Sequence, residues 1–317
     1  MTFYPNSTLD SRIRCSHYKS SEVGSPFVDF LYNATNTIPK DGGSYVTNHK
    51  CAYAMMIDTP AFILPARVWA YSLQRVNTQA DIVALVVENT LTVDEVGKLV
   101  DAGIKIKYEK VIESVPGFMA SNRFDTVDTK FRIFNWTEYD KIAIVDADTV
   151  ATQNPDWVFD LDGFWTQQDD KDDYDSVIAS FWLVQPDTQI FNQLLSLLSG
   201  LKEHYSVMWK EQAFIKFVTT FSRNSLSYHF CISQFDLTSV ETIPSVKPEH
   251  VFFVHYLSGI VEHDKPWKLV PKTNNLATLS QFFNDIRLNS GTQPIANLWL
   301  KVAAEYFLLH PDYFVSE

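Results

Sequence analysis

Two kinds of apolar pattern alternate along the middle of the chain. Short segments with the pattern of strands occupy residues 52–57, 81–87, 104–111 and 141–145. Segments with apolar residues at helical spacing lie between them, at residues 62–73, 92–102 and 126–139. Strands that alternate with helices and are apolar on both faces are typical of a parallel sheet covered by helices on both sides. The pattern therefore predicts an α/β fold with a mostly parallel central sheet and helices on both faces.

The two ends of the chain differ from this middle part. Residues 1–50 are rich in Ser, Thr, Asn, Pro and Gly, and only residues 27–32 have the pattern of a short helix. Beyond residue 150, strands are expected at 176–184, 228–235 and 251–256, and helices at 187–201, 210–221 and 295–309. The predicted organisation is an irregular extension (1–50), one α/β domain (51–270) and a helical extension (271–317) that packs on the same domain.

Composition and charge exclude several classes of protein. The 317 residues are 46% hydrophobic and include three cysteines, which argues against a disordered chain and against a disulfide-rich secreted scaffold. The formal net charge of −12 would repel a phosphate backbone, so nucleic acid is not expected as a partner. The sequence has no apolar stretch of about 18 residues and no signal-peptide pattern at its start. We therefore expect a cytoplasmic protein without a transmembrane segment. The sequence does not exclude a location in the secretory lumen, and it is compatible with a homodimer.

The strongest chemical signal is a pair of carboxylates at the end of a predicted buried strand. Asp146 and Asp148 follow the apolar run 141–145 and are separated by Ala147. Alternate positions of an extended chain point to the same side, so both carboxylates can reach one cation. Oxygen ligands suit Mg²⁺ or Mn²⁺, and Mn²⁺ also accepts an imidazole. Taken alone, however, an Asp-x-Asp pair fits a solvated turn equally well.

Further motifs around this pair make the chain resemble the glycogenin-like glycosyltransferases of family 8. Thr129-Lys130 precedes the aromatic Tyr139, the apolar strand and the Asp146-Ala147-Asp148 triplet in the family's order. The other matching motifs are Asn154-Pro-Asp-Trp-Val-Phe-Asp160, Val184-Gln185-Pro186, and Val254-His255-Tyr256-Leu257-Ser258-Gly259 with Lys265-Pro266-Trp267. The resemblance extends over residues 52–267, which is most of the chain.

The resemblance implies a single GT-A domain, a Rossmann-like fold that binds nucleotide sugars. It also implies transfer of a hexosyl group from UDP-glucose or UDP-galactose with retention of configuration. Mn²⁺, or alternatively Mg²⁺, would bridge the donor diphosphate and the ligands Asp146, Asp148 and His255. A histidine at a strand end is also often purely structural. Lys130, which the resemblance places at the donor as a catalytic residue, has the alternative role of a surface lysine.

The resemblance also assigns residues that contact the donor. The turn after the first strand corresponds to the family's uridine-binding turn, with Met56, Asp58, Thr59 and Phe62. Asp58 is expected to accept a hydrogen bond from the uracil, and Phe62 either stacks on the base or belongs to the core. Contacts near the diphosphate are expected from Arg123, Ala147, Ser258, Gly259 and Lys265.

Three features depart from the family pattern, and one of them is a longer spacing between His255 and Lys265, with an insertion around Glu262-His263-Asp264. The family's Phe-Asn-x-Gly segment is replaced by Val177-Ile-Ala-Ser180, which carries no amide side chain. The family's Asp-Gln pair is Glu211-Gln212 here, and these two residues are the candidates for catalytic contact with the sugar. The sequence does not indicate the acceptor, since a saccharide, a polyol and a protein are all compatible with the predicted cleft.

Two other functions fit part of the sequence. The apolar strand followed by Asp146, Asp148 and Thr149 also matches the nucleophile motif of haloacid-dehalogenase-type phosphatases. That motif normally stands on the first strand of its domain, whereas three strand–helix units are predicted before Asp146. The missing amide motivates a second alternative, a catalytically weak nucleotide-sugar-binding protein. The main prediction is a Mn²⁺-dependent retaining glycosyltransferase that uses a UDP-sugar and an unidentified acceptor.

Overall fold

A computed structural model describes eight segments of the chain. They are residues 49–112, 126–167, 178–200, 224–226, 230–233, 251–256, 265–288 and 294–311. The helices predicted at 27–32 and 210–221 lie outside the described residues, as does nearly all of the predicted extension 1–50.

Among the described residues, ten strands form two sheets. In chain order they are β1 (Cys51–Ile57), β2 (Asp81–Val87), β3 (Lys105–Glu109), β4 (Lys141–Val145), β5 (Thr149–Ala151), β6 (Trp165–Gln167), β7 (Ile178–Val184), β8 (Asn224–Leu226), β9 (Cys231–Ser233) and β10 (Phe253–His255). The larger sheet has the order β3-β2-β1-β4-β7-β6-β8, and the smaller has β5-β10-β9. Strands β3, β2, β1 and β4 run parallel, whereas β7 is antiparallel to both of its neighbours. The predicted mostly parallel sheet is confirmed, and the reversed β7 is the exception.

Helices cover both faces of the larger sheet, as predicted. The α-helices of the described residues are α1 (Ile63–Arg75), α2 (Val93–Asp101), α3 (Thr188–Gly200), α4 (Leu276–Leu288) and α5 (Pro294–Leu309). Successive side chains of a strand point to opposite faces of its sheet. In β1, Tyr53 and Met55 therefore pack in a core shared with α1, α2, α4 and α5, while Ala52 and Ala54 pack in a second core shared with α3.

The segment predicted as a helix at 126–139 is shorter and of another type, a 3-10 helix at Val127–Asn135. Most of its side chains are buried, including the polar Asp128, Thr129 and Lys130, so no single face of it is exposed like that of a surface helix. The Thr129 hydroxyl accepts a hydrogen bond from the backbone N–H of Ile112 at 3.0 Å, which fixes the segment against the chain beyond β3. The predicted helix is therefore present, but it is a 3-10 helix that ends four residues before the predicted end.

The smaller sheet brings distant parts of the chain to the end of β4. β10 is antiparallel to β5, with His255 opposite Thr149, and parallel to β9, with His255 opposite Ser233. The strands predicted at 228–235 and 251–256 are thus present as the shorter β9 and β10. The three residues of β10 pair one for one with the three residues of β5.

The C-terminal helix α5 packs on α1. Arg67 Nε donates a hydrogen bond to the Tyr306 hydroxyl at 3.2 Å, and Arg75 Nε lies 2.6 Å from Glu305 Oε2. The predicted domain boundaries at residues 50 and 270 stay a prediction. No helix among the described segments is long and apolar enough to cross a membrane.

A buried carboxylate stabilises the edge of the sheet opposite the carboxyl ends of the strands. Asp156 Oδ1 accepts hydrogen bonds from the Tyr53 hydroxyl at 3.1 Å and from Thr78 Oγ1 at 2.6 Å, and Oδ2 accepts one from the Gln79 backbone at 2.8 Å. Burial, and secondarily Asp156, raises the pKa of Tyr53 well above its ordinary value, so the phenol stays a donor.

We expect Asp156→Asn to lower the free energy of unfolding by about 2 kcal/mol. The NH₂ group of asparagine takes the place of one acceptor oxygen, so a buried donor that faced this oxygen loses its partner. Urea unfolding measures this loss. The cation site described below lies at the other edge of the sheet, so its affinity should not change. An unfolding midpoint equal to that of the wild type would contradict the role assigned to Asp156.

Candidate functional site

The turn after β4 is held from two sides. The backbone N–H of Asp146 donates to the carbonyl of Ser180 on β7 at 3.2 Å, and the Thr149 hydroxyl donates to the carbonyl of Asp146 at 2.9 Å. The carbonyl of Asp148 accepts from the backbone of Tyr256 at 2.8 Å. The residues between β4 and β5 are thereby fixed between the two sheets, at the carboxyl edge where ligands bind in open α/β sheets.

Three predicted metal ligands meet in this turn. Asp146, Asp148 and His255 each offer one ligand atom, and these atoms lie within 4.8 Å of one another. His255 Nε2 is 3.1 Å from Asp148 Oδ1 and 3.9 Å from Asp146 Oδ2. His255 and Asp148 are buried, and Asp146 is partly exposed. The side chains are therefore brought together by the fold, and the approach is open on the side of Asp146.

Each carboxylate of the cluster also contacts a buried lysine. Lys130 Nζ lies 2.7 Å from Asp146 Oδ1, and Lys265 Nζ lies 2.6 Å from Asp148 Oδ2. Lys265 Nζ also donates to the carbonyl of Tyr256. One oxygen of each carboxylate is thus taken by a lysine, and the other oxygen faces His255 Nε2.

Electrostatics keeps the carboxyl group of Asp148 ionised, because its pKa is lowered. Burial raises the pKa of Asp148, but the adjacent His255 and Lys265 more than offset that effect and hold the pKa well below its usual value. A histidine that ligates a metal ion must be neutral, and in that state the two carboxylates and the two ammonium groups would balance one another. Two carboxylate oxygens and one imidazole nitrogen form a donor set that fits Mn²⁺, and Mg²⁺ less well because it prefers oxygen alone.

The predicted nucleotide-binding turn lies after β1. Thr126 donates a hydrogen bond to Asp58, and both side chains are partly exposed. The ring of Phe62 is tilted against that of Trp267, with centroids 5.9 Å apart, and Trp267 packs in turn against Trp299 of α5 at 5.8 Å. This aromatic row connects the turn after β1 with the segment that carries Lys265.

The other predicted site residues fall into two groups. Met56 and Thr59 are partly buried beside the turn, and Ala147 is buried in the core. The residues that lie outside the described segments are Arg123, Glu211, Gln212, Ser258 and Gly259. Sequence analysis missed Gln167, and it treated Ser180 only as a departure from the family. Both are buried next to the turn, and the serine in place of a glycine was the one available signal.

Comparison of sequences finds glycosyltransferases. No protein-family model matches the chain. The chain is 27% identical over 175 residues to inositol phosphorylceramide glucuronosyltransferase 1 of Arabidopsis thaliana, a match that covers 55% of this chain and 32% of that protein. It is 23% identical over 224 residues to UDP-glucuronate:xylan alpha-glucuronosyltransferase 2 of the same plant, which covers 68% of this chain and 35% of that protein. The matched region thus spans about a third of the length of these relatives.

Comparison of structures finds the same class of protein. The glycosyltransferase GlyE of Streptococcus pneumoniae superposes with a TM-score of 0.54 and 17% identity, over 83% of this chain and 64% of that chain. The galactosyltransferase LgtC, solved in complex with donor and acceptor sugar analogs, gives a TM-score of 0.50 and 13% identity, over 68% of this chain and 89% of that chain. These likenesses confirm the predicted fold.

Proposed function

The chain has the GT-A fold and resembles the glycogenin-like glycosyltransferases of family 8, and on this premise we propose that it is a metal-dependent glycosyltransferase. The proposed reaction moves a hexosyl group from a UDP-sugar to an acceptor, with retention of configuration and with Mn²⁺ bound. One observation carries the proposal: Asp146, Asp148 and His255 converge at the carboxyl edge of the sheet, with a lysine on each carboxylate.

The charge of the site explains why a cation is required. A nucleotide-sugar diphosphate carries one negative charge on each phosphate, and with His255 neutral, as a metal ligand must be, the five side chains of the cluster would add no net positive charge. A divalent ion held here would supply the missing positive charge and Lewis-acid stabilisation of the departing diphosphate. Asp146 Oδ2, Asp148 Oδ1 and His255 Nε2 would hold that ion. Lys130 and Lys265 orient the two carboxylates and place two ammonium groups beside the position of the diphosphate.

The nucleotide would lie along the turn after β1. Phe62 offers an aromatic face that Trp267 supports, and Asp58 with Thr126 offers a polar edge for the uracil. Met56 and Thr59 complete this turn. In the same proposal Arg123, Ser258 and Gly259 contact the diphosphate, and Glu211 and Gln212 contact the sugar.

The phosphatase alternative is not favoured. An attacking carboxylate must be accessible to phosphorus, and its acid–base partner must be able to exchange a proton. Asp148 is buried against both His255 and Lys265, and its low pKa prevents it from acting as an acid near neutral pH. The role of a nucleotide-sugar-binding protein without turnover stays a second candidate, because the family's Phe-Asn-x-Gly amide is missing here.

The donor sugar is proposed to be glucose or galactose, with glucuronate as the second candidate. The names of both plant relatives contain glucuronosyltransferase, which favours testing UDP-glucuronate. A glucuronosyl group adds a carboxylate, which needs a cation that is not already paired with Asp146 or Asp148. By residue type, Arg123 is the remaining cation among the proposed site residues, and we propose that it binds this carboxylate.

A panel of UDP-sugars tests the proposal. We expect UDP release from one of UDP-glucose, UDP-galactose or UDP-glucuronate in the presence of Mn²⁺ and a mixture of simple saccharides. EDTA should abolish the release and added Mn²⁺ should restore it. Donor binding without UDP release would favour the binding-protein alternative, and phosphate release from phosphomonoesters without UDP release would overturn the proposal.

A further inference from the structure

A buried glutamine lies where the two sheets meet behind the cation site. Gln167 is the last residue of β6 and only 1% exposed. The register between β6 and β7 shifts between Thr166 and Gln167, so that Gln167 pairs with Ile178. Such irregularities redirect a side chain away from the regular ladder and are frequent beside active sites.

The side chain of Gln167 connects both sheets. Its Nε2 donates a hydrogen bond to the carbonyl of Cys231 on β9 at 2.6 Å, and its Oε1 accepts one from the Ser180 hydroxyl on β7 at 3.3 Å. The backbone carbonyl of Ser180 in turn accepts a hydrogen bond from the backbone N–H of Asp146. The contacts therefore lead from β9 of the smaller sheet, through Gln167 and Ser180, to the first carboxylate of the site.

The other end of this connection reaches the histidine. β9 is paired in parallel with β10, with Cys231 opposite Phe253 and Ser233 opposite His255. A shift of β9 relative to β7 would therefore carry β10 with it and change the distance between His255 and Asp146. Metal sites tolerate little error in ligand distance, so this distance must be fixed by contacts outside the ligands themselves.

We propose that Gln167 is a positioning residue that sets the separation of Asp146 and His255 by connecting the two sheets. This proposal rests on the proposed function, because it assumes that these residues bind a divalent ion. Ser180 is the second member of the connection, and its presence in place of the family's glycine provides the hydroxyl that holds Gln167 Oε1. Neither residue is one of the three proposed ligands of the ion.

Removing the connection should weaken metal binding more than it weakens folding. We expect Gln167→Leu, which keeps a side chain of similar size but makes neither hydrogen bond, to raise the dissociation constant for Mn²⁺ about tenfold. Gln167→Glu should do the same, because it retains the acceptor toward Ser180 but places an oxygen against the Cys231 carbonyl. Ser180→Ala removes the hydroxyl that donates to Gln167 Oε1 and accepts from Cys231 Sγ at 4.0 Å, and it should have an effect of roughly threefold. Electron paramagnetic resonance of free Mn²⁺ measures these constants.

Asp156→Asn is the matched control, since it replaces one buried hydrogen-bond acceptor at the opposite edge of the sheet. It should lower the urea midpoint at least as much as Gln167→Leu and leave the Mn²⁺ constant unchanged. Equal losses of Mn²⁺ affinity in both variants would overturn the positioning role, as would wild-type affinity in folded Gln167→Leu. If that variant does not fold, the same criterion applies to Ser180→Ala. A wild-type protein that binds neither Mn²⁺ nor Mg²⁺ would overturn the proposed function and this role together.

Discussion

Asp148→Asn is expected to lower the rate of UDP release roughly a thousandfold, because Lewis-acid stabilisation by a bound ion contributes several kcal/mol. The substitution keeps the shape of the side chain and removes its charge. Asp148 Oδ1 lies 3.1 Å from His255 Nε2, so the substitution removes the negative charge beside a second proposed ligand of the ion. Titration of Mn²⁺ into the variant should show no binding at concentrations that saturate the wild type.

The single substitution has a second effect that must be separated from the first. It leaves Lys265 buried without its carboxylate partner, and breaking a buried ion pair from one side costs about 3–5 kcal/mol of stability. The double variant Asp148→Asn/Lys265→Met removes both charges and should recover most of that stability. It should still fail to bind Mn²⁺. Recovery of metal binding in the double variant, or undiminished UDP release in the single one, would show that Asp148 is not a ligand.

Elements bounded by strong local signals were predictable from the sequence. β2 and β4 match the predicted segments 81–87 and 141–145 because each contains an unbroken apolar run, 82–87 or 142–145, with charged residues on both sides. Helix α2 follows Thr92, whose hydroxyl and backbone form a capping box with Glu95. Strands β5, β6 and β8 were not predicted, because three residues are too few to show a period. The direction of β7 also lies beyond a local pattern, since it depends on the path of the chain between strands.

The candidate site was predictable to the extent that its side chains occur in motifs. Asp146, Asp148, His255, Lys130 and Lys265 were predicted from the resemblance, and the fold places all five in one cluster. Their pairing as two lysine–carboxylate contacts was not predictable, because the partners are 16 and 117 residues apart in the chain. Gln167 has no sequence signal for the same reason: its partners, on β7 and β9, are adjacent to it only after the two sheets form.

Lys130→Met is expected to change turnover and metal affinity in opposite directions. Methionine retains most of the length and apolar character of the lysine stem, which is buried with its ammonium group 5.9 Å from the centre of the Trp182 ring. Loss of the charge should lower UDP release by about 10²–10³-fold, as for the removal of one group that stabilises developing negative charge. Mn²⁺ should bind about threefold more tightly, because a positive charge 2.7 Å from Asp146 no longer competes with the ion.

The surface pair of Lys107 and Glu138 provides the control for this prediction. Lys107 also contacts a carboxylate, and its ammonium group lies over a tryptophan, 4.7 Å from the ring centre of Trp136. Lys107→Met therefore removes the same chemical contacts away from the site. It should change neither the Mn²⁺ constant nor UDP release, so an effect of Lys130→Met that Lys107→Met shares cannot be assigned to the cation site.

The two readouts of Lys130→Met also separate two roles of the lysine. If Lys130 served only to neutralise Asp146, a bound Mn²⁺ would take over that task and the saturated variant would turn over like the wild type. If Lys130 stabilises the departing diphosphate, saturation with Mn²⁺ restores the stability of the protein but not the rate. We expect the second result: a melting temperature that Mn²⁺ raises more in the variant than in the wild type, with UDP release still low. A rate restored by Mn²⁺ would assign Lys130 to charge balance alone.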